Sequence, residues 1–153
     1  MIGLAPEHLG AHFQLGCLLM KRQKFVDAAQ EFQKVIQHHP EHVESLANLA
    51  ACTLRQGRVE QAAAMYLRVL EVEPEDRDTL FNLAVIYTQQ GYTRDAVNFY
   101  LRIVKAHPDF YDAHYNLGAI YLMSRDQESA LRHYREALRI RPQDETARHM
   151  IRI

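Results

Sequence analysis

Cysteine is almost missing from this chain of 153 residues: Cys17 and Cys52 are the only two. Two thiols make no disulfide framework, so a reduced, cytoplasmic setting is the simpler expectation. No apolar run approaches the roughly 20 residues that a membrane-crossing helix needs. The opening MIGLAPEHLG has neither the basic start nor the long apolar centre of a signal peptide. An excess of one charge is missing too. Lys and Arg number 18 against 19 Asp and Glu, a formal net charge of −1, which excludes the basic footprint that a nucleic-acid backbone demands. Strand-forming runs of Val, Ile and Thr are scarce. What is plentiful is Ala, Leu, Glu, Gln and Arg. With 48% hydrophobic residues, this composition predicts an all-α protein with enough apolar surface for a core.

Proline occurs five times, at Pro6, Pro40, Pro74, Pro108 and Pro142, each 34 residues after the last. A fixed period in this range marks a stacked repeat array. Every other column falls into the same register. Leu15, Leu49, Leu83 and Leu117 form one column, followed each time by a small residue: Gly16, Ala50, Ala84, Gly118. Ala28, Ala62, Ala96 and Ala130 form another. Four residues later stands an aromatic: Phe32, Tyr66, Tyr100, Tyr134. Apolar spacings of three and four make each half-repeat an amphipathic helix. Gly57 and Gly91 sit where a first helix must turn through a left-handed residue. Gln23 and Arg125 replace that glycine in the outer repeats, which predicts less regular turns there. Each proline is expected to end a second helix by removing a donor and displacing its predecessor from helical geometry. The small columns mark close helix crossings, with the aromatic filling the gap against the neighbouring pair.

The unit is therefore a helical hairpin, and at this point it resembles the tetratricopeptide (TPR) family. That family's motif runs from an aromatic through Leu-Gly and Tyr to Ala, Phe and Pro over 34 residues. Here it is carried by His114, Leu117, Gly118, Tyr121, Ala130, Tyr134 and Pro142, and similarly in the other repeats, although the opening column reads His12, Leu46, Leu80, His114. The resemblance implies a right-handed superhelical solenoid of antiparallel helix pairs, with the first helix of each repeat lining a concave groove. The register gives repeats at 9–42, 43–76, 77–110 and 111–144. Residues 1–8 read as the remnant of a preceding repeat, with Ile2, Gly3 and Leu4 ending its second helix. Residues 145–153 read as the start of a capping or fifth-repeat helix. Neither end supplies a full polar cap, so a piece of a longer protein and self-association through uncapped ends are both expected.

On the groove face the resemblance places an amide before each column leucine: Gln14, Asn48, Asn82 and Asn116. An amide both donates and accepts, so it can hold a peptide backbone regardless of its side chains. The row is similar to the asparagine ladder of O-linked N-acetylglucosamine transferases. Helix capping or bridging is the alternative role. Phe13, Phe81 and Tyr115 flank the row and suit apolar anchors, although Phe81 and Tyr115 are equally explicable as padding of the core between repeats. Glu44, Asp78 and Asp112 form an acidic row at the groove mouth that would favour Lys or Arg in a ligand; as helix starts they are equally explicable. The carboxylate clamp of chaperone-binding relatives is not matched, because Phe13, Cys17 and Asp78 stand where Lys, Asn and Lys are needed, and only Asn48 remains.

Chemistry beyond binding has little support in the sequence. His38, His39 and His42 cluster, but Pro40 breaks the helix that would align them for a metal. His8 and His12 straddle the expected helix start. The glycines form no phosphate loop, and Cys17 and Cys52 fall in unlike columns with no partner base. The expectation is a non-enzymatic scaffold without cofactor or metal that binds a protein or peptide carrying basic and apolar side chains. A substrate-docking arm of a larger enzyme, such as a glycosyltransferase, is the second reading. ARHMI at 147–151 also resembles the junction between some bacterial TPR arrays and a methyltransferase domain.

Overall fold

The computed structural model describes residues 6–152, with side chains from His8 onward. Among the described residues, all regular structure is helical. Helices α1 (Pro6–Lys21) and α2 (Phe25–His38) form the first antiparallel pair, α3 (Val43–Arg55) and α4 (Val59–Val72) the second. Helices α5 (Arg77–Gln89) and α6 (Thr93–Ala106), then α7 (Tyr111–Met123) and α8 (Gln127–Ile140), make two more, and α9 (Glu145–Arg152) follows. The chain divides into two compact units, up to Thr79 and from Leu80 onward.

In the first unit, α2 packs against both α1 and α3. Its core joins Ala28, Phe32 and Ile36 of α2 to Leu46, Leu49 and Cys52 of α3 and Val69 of α4. In the second unit, Ala130, Tyr134 and Ala137 of α8 meet Tyr111 of α7 and Ala147 of α9, with Met150 and Ile151 packed against them. The invariant alanines explain the register. Ala28, Ala62 and Ala96 are 0% exposed and Ala130 2%, so the close contact leaves room for a methyl and nothing larger.

Four helix ends follow from the prolines. Helices α2, α4, α6 and α8 stop just before His39, Glu73, His107 and Arg141, whose φ lies between −123° and −131°; the proline comes next and cannot donate. Pro6 behaves differently. It opens α1, where its fixed φ and missing donor suit a first turn, so both His8 and His12 lie inside the helix. The expectation for Ile2, Gly3 and Leu4 lies outside the described residues.

The turns inside the hairpins differ from expectation. Gln23 (φ 59°) and Arg125 (φ 62°) adopt the same left-handed conformation as Gly57 (78°) and Gly91 (81°). All four turns carry the same bonds: the next residue's N–H reaches back five residues, as in Lys24 to Leu19 O at 2.9 Å and Asp126 to Tyr121 O at 2.9 Å. The outer turns are as regular as the inner ones, because the backbone bonds impose the geometry and the side chain bears the strain.

One packing expectation also changes. The aromatic column presses on the small residue of its own hairpin: a Cβ on Gly16 would stand 2.7 Å from the Phe32 ring, and one on Gly118 2.9 Å from Tyr134. Phe32 also shares a core with Leu46 and Leu49 of the next pair, so it serves both contacts. Leu15 is 44% exposed, whereas Leu49 is 6% and Leu83 and Leu117 0%. No described helix precedes α1 to cover that face.

Candidate functional site

The candidate binding residues stand on the first helix of each pair. In the first unit, Gln14 on α1 is exposed and Asn48 on α3 half-buried. Asn48 Nδ2 lies 3.9 Å from Cys17 Sγ, a weak contact between neighbouring first helices that leaves its amide oxygen available. Phe13 is half-buried, edge-on to Phe32 at 5.9 Å and to His42 at 5.4 Å. Glu44 is exposed, 3.8 Å from His42 Nε2. Asp78, also exposed, bonds Arg77 at 2.9 Å. That pairing breaks the expected row of uniform negative charge, because one of its three carboxylates is neutralised by its chain neighbour.

In the second unit, Asn82 and Asn116 are half-buried. Asn116 Nδ2 donates to Asp112 O, one turn back in its own helix, at 2.8 Å. One of its N–H groups is thereby engaged within its own helix, neither capping nor bridging to a neighbour, and its oxygen and second N–H remain. Phe81 stands edge-on to Tyr100 at 6.1 Å and to Phe110 at 5.5 Å. Tyr115 stands edge-on to Tyr134 at 5.7 Å. The anchors of both units thus share one arrangement, a half-buried ring supported at its edge by the fully buried aromatic of the same hairpin. Each ring packs on the core and keeps part of its surface exposed. Asp112 is half-buried at the start of α7.

Two buried groups are held protonated. Burial pushes the Cys52 thiol up to about 11, with Cys17 adding to the shift, so it stays protonated at neutral pH and is a poor nucleophile. Burial likewise lifts Tyr66 to about 12. Among the described residues no three His, Cys, Asp or Glu side chains gather to hold a metal ion. His42 of the histidine cluster caps α3 instead, its Nδ1 accepting from Ser45 N at 3.2 Å. Asp76 and Asp144, one and three periods later, cap α5 and α9 by accepting from Thr79 N at 2.8 Å and Ala147 N at 3.0 Å. Phe110 occupies the intervening place and supplies no side-chain cap.

Two models described as tetratricopeptide repeat match residues 19–83 and 89–145. The chain belongs to the TPR family. No curated protein matches it in sequence. Solved structures do match in fold. MamA superposes with a TM-score of 0.88 at 19% identity, covering 96% of this chain and 80% of that one. A TPR protein from Parabacteroides merdae gives 0.88 at 21% identity, over 94% and 57% of the two chains. YrrB, described as a TPR protein with an unusual peptide-binding site, gives 0.80 at 20% identity over 95% and 75%. The TPR fold is typically a protein-interaction scaffold. Both matching models are repeat models rather than catalytic families, and among the described residues no helix is long and apolar enough to cross a membrane.

Against the TPR motif, the histidines of the opening column are the notable departure, and their partners stand nineteen residues on. His12 Nδ1 meets Glu31 Oε2 at 2.5 Å. Burial pushes the Glu31 carboxyl up, yet bonds from Lys34 and His12 outweigh it and hold it below the usual range. His114 is buried, with Nδ1 3.1 Å from His133 Nδ1 and Nε2 2.9 Å from Pro108 O. A carbonyl only accepts, so His114 donates through Nε2. In the neutral pair its Nδ1 then accepts from His133 Nδ1–H. Burial, with the charges of His114 and Arg132, pushes His133 down to about 4. The same two columns hold Leu46 with Met65 and Leu80 with Phe99 in the inner repeats. The signal available in the sequence was this joint switch between polar and apolar pairs, nineteen residues apart.

Proposed function

We propose that this TPR chain, with repeats at 9–42, 43–76, 77–110 and 111–144, is a protein-interaction scaffold whose first-helix faces hold a peptide or protein segment. The carrying observation is the recurrence, in each unit, of incompletely satisfied amides beside edge-supported aromatic rings. Asn48, Asn82 and Asn116 supply backbone-directed hydrogen bonds, and Gln14 extends that set. Phe13, Phe81 and Tyr115 supply anchoring surface for apolar side chains. Glu44 and Asp112 favour basic residues in the ligand, while Asp78 contributes less because of Arg77. The peptide-binding site named for YrrB supports this reading by analogy of fold.

The test is a displayed library of extended peptides selected on the intact chain, with affinities then measured for Asn48→Ala, Asn82→Ala and Asn116→Ala. Each substitution should weaken the selected peptide by about 1 kcal/mol, roughly fivefold, with Asn116→Ala the smallest effect because its amide is partly engaged. Undiminished affinity in the triple variant removes the amides from the account.

A further inference from the structure

A second surface lies within the first unit, on the side of the second helices, and is independent of the amide row. Helices α2 and α4 flank a cavity of about 670 Å³, within the range of sites that hold small ligands and peptide side chains. Its lining includes five of the chain's eleven glutamines: Gln30, Gln33 and Gln37 from α2, Gln56 from the end of α3, and Gln61 from α4. Gln56 donates to Phe25 O at 3.5 Å. The other four amides make no hydrogen bond among the described residues. Ala29, Leu49 and Met65 form an apolar floor, and Val26 stands exposed at the rim. Thr53 is no loose donor there, since its hydroxyl bonds Leu49 O at 2.8 Å.

The charged residues of the lining are Lys34 and Arg58, with no carboxylate. Lys34 bonds Glu31 at 2.8 Å, and Glu31 is shared with His12. Arg58 makes no ion pair among the described residues. Arg58 is therefore the one charge of the lining without a counter-ion among the described residues, whereas the first-helix face of the same unit carries the exposed Glu44. Gln30, Gln33 and Gln37 recur at spacings of three and four, so they share one helix face over about 10 Å at 1.5 Å per residue. An extended peptide rises about 3.3 Å per residue, so the row spans about three peptide units. Two periods later the register replaces this lining. Gln33 becomes Leu101, and Thr53 and Met65 become Tyr121 and His133, whose rings stack at 5.6 Å.

We propose that this glutamine-lined cleft docks an extended acidic peptide: amides to its backbone, Arg58 to its carboxylate, apolar floor to its alternate side chains. The probes are two labelled eight-residue peptides with one central proline to keep them extended, one alternating Leu with Asp and one alternating Leu with Lys. Fluorescence anisotropy with the intact chain should show the Asp peptide binding at least tenfold more tightly. Arg58→Glu should weaken it at least tenfold, and Gln30, Gln33 and Gln37 changed together to Ala at least fivefold. All four residues are exposed, so unchanged circular dichroism and melting should accompany these losses. The variant with Asn48, Asn82 and Asn116 changed to Ala should bind the Asp peptide as the parent does, which keeps this cleft distinguishable from the first-helix face. Equal binding of the two peptides, no binding of either, or insensitivity to Arg58→Glu overturns the proposal. So does light scattering that shows the parent as a dimer and the Arg58→Glu variant as a monomer.

Discussion

The outer hairpins, α1–α2 and α7–α8, and the inner ones, α3–α4 and α5–α6, fill one register in two ways. The outer pair place a glycine under the column aromatic, a non-glycine in the left-handed turn and a polar pair nineteen residues apart. The inner pair place alanine, glycine and an apolar pair at those positions. The three differences travel together. A 34-residue frame therefore fixes helix lengths, turns and the alanine contact, and leaves the interior of each hairpin with two solutions. One is small and hydrogen-bonded, the other larger and apolar.

The largest effect should come from attacking what both classes share. Ala96→Leu puts three extra carbons into a fully closed contact and should cost about 1–3 kcal/mol, read as a lowered denaturation midpoint. Ala130→Leu in an outer hairpin should cost a similar amount. Next, Gly118→Ala forces a methyl into the Tyr134 ring and should cost about 1–2 kcal/mol. The reciprocal Ala84→Gly in an inner hairpin adds backbone freedom and loses a packed methyl, at roughly 1 kcal/mol. If Gly118→Ala were neutral, the glycine would not distinguish the classes.

Acid should separate the two outer hairpins from each other. His133 has an ordinary value of 6.5 and is pushed down to about 4 when folded. Between these values the unfolded chain binds the proton and the folded one does not, so stability falls as pH drops through that window. For α1–α2 the depressed group is Glu31, whose ordinary value is 4.5, so its contribution persists through most of the window and is lost only in stronger acid. Amide exchange followed from pH 7 to 4 should show α7–α8 loosening first, and His133→Phe should flatten that response. The smallest effect belongs to the turns. Arg125→Gly relieves a left-handed side chain but frees the unfolded backbone, for a net gain of roughly 0.5–1 kcal/mol. Gly91→Arg should lose a similar amount in thermal melts.

The sequence showed what depends on local volume and backbone permissiveness. The alanine column, the inner turn glycines and the four inter-repeat prolines were readable because each residue type answers a constraint at its own position. Gln23 and Arg125 were misjudged because their turns are held by backbone bonds that do not depend on residue type. The exposure of Leu15 is not visible in its column, because burial there depends on a neighbour rather than on its own helix. The candidate site was legible as a row of residue types, but the partners that tune it were not. Arg77 on Asp78 and the Asp112 carbonyl on Asn116 are matters of rotamer rather than register. The glutamine cleft was hidden for another reason: its walls come from two different repeats, and no single column displays it.

Phe110 stands before helix α7 without a capping side chain, and His114, one turn inside the helix, donates back to the Pro108 carbonyl. That carbonyl dictates which nitrogen of His114 carries hydrogen, and His114 in turn dictates the choice in His133. A corner between two repeats thus sets the polarity of a relay running into the middle of a hairpin. Anything that pulls Pro108 away frees both rings to reverse direction, and nitrogen chemical shifts at His133 would register a movement made at the turn before α7.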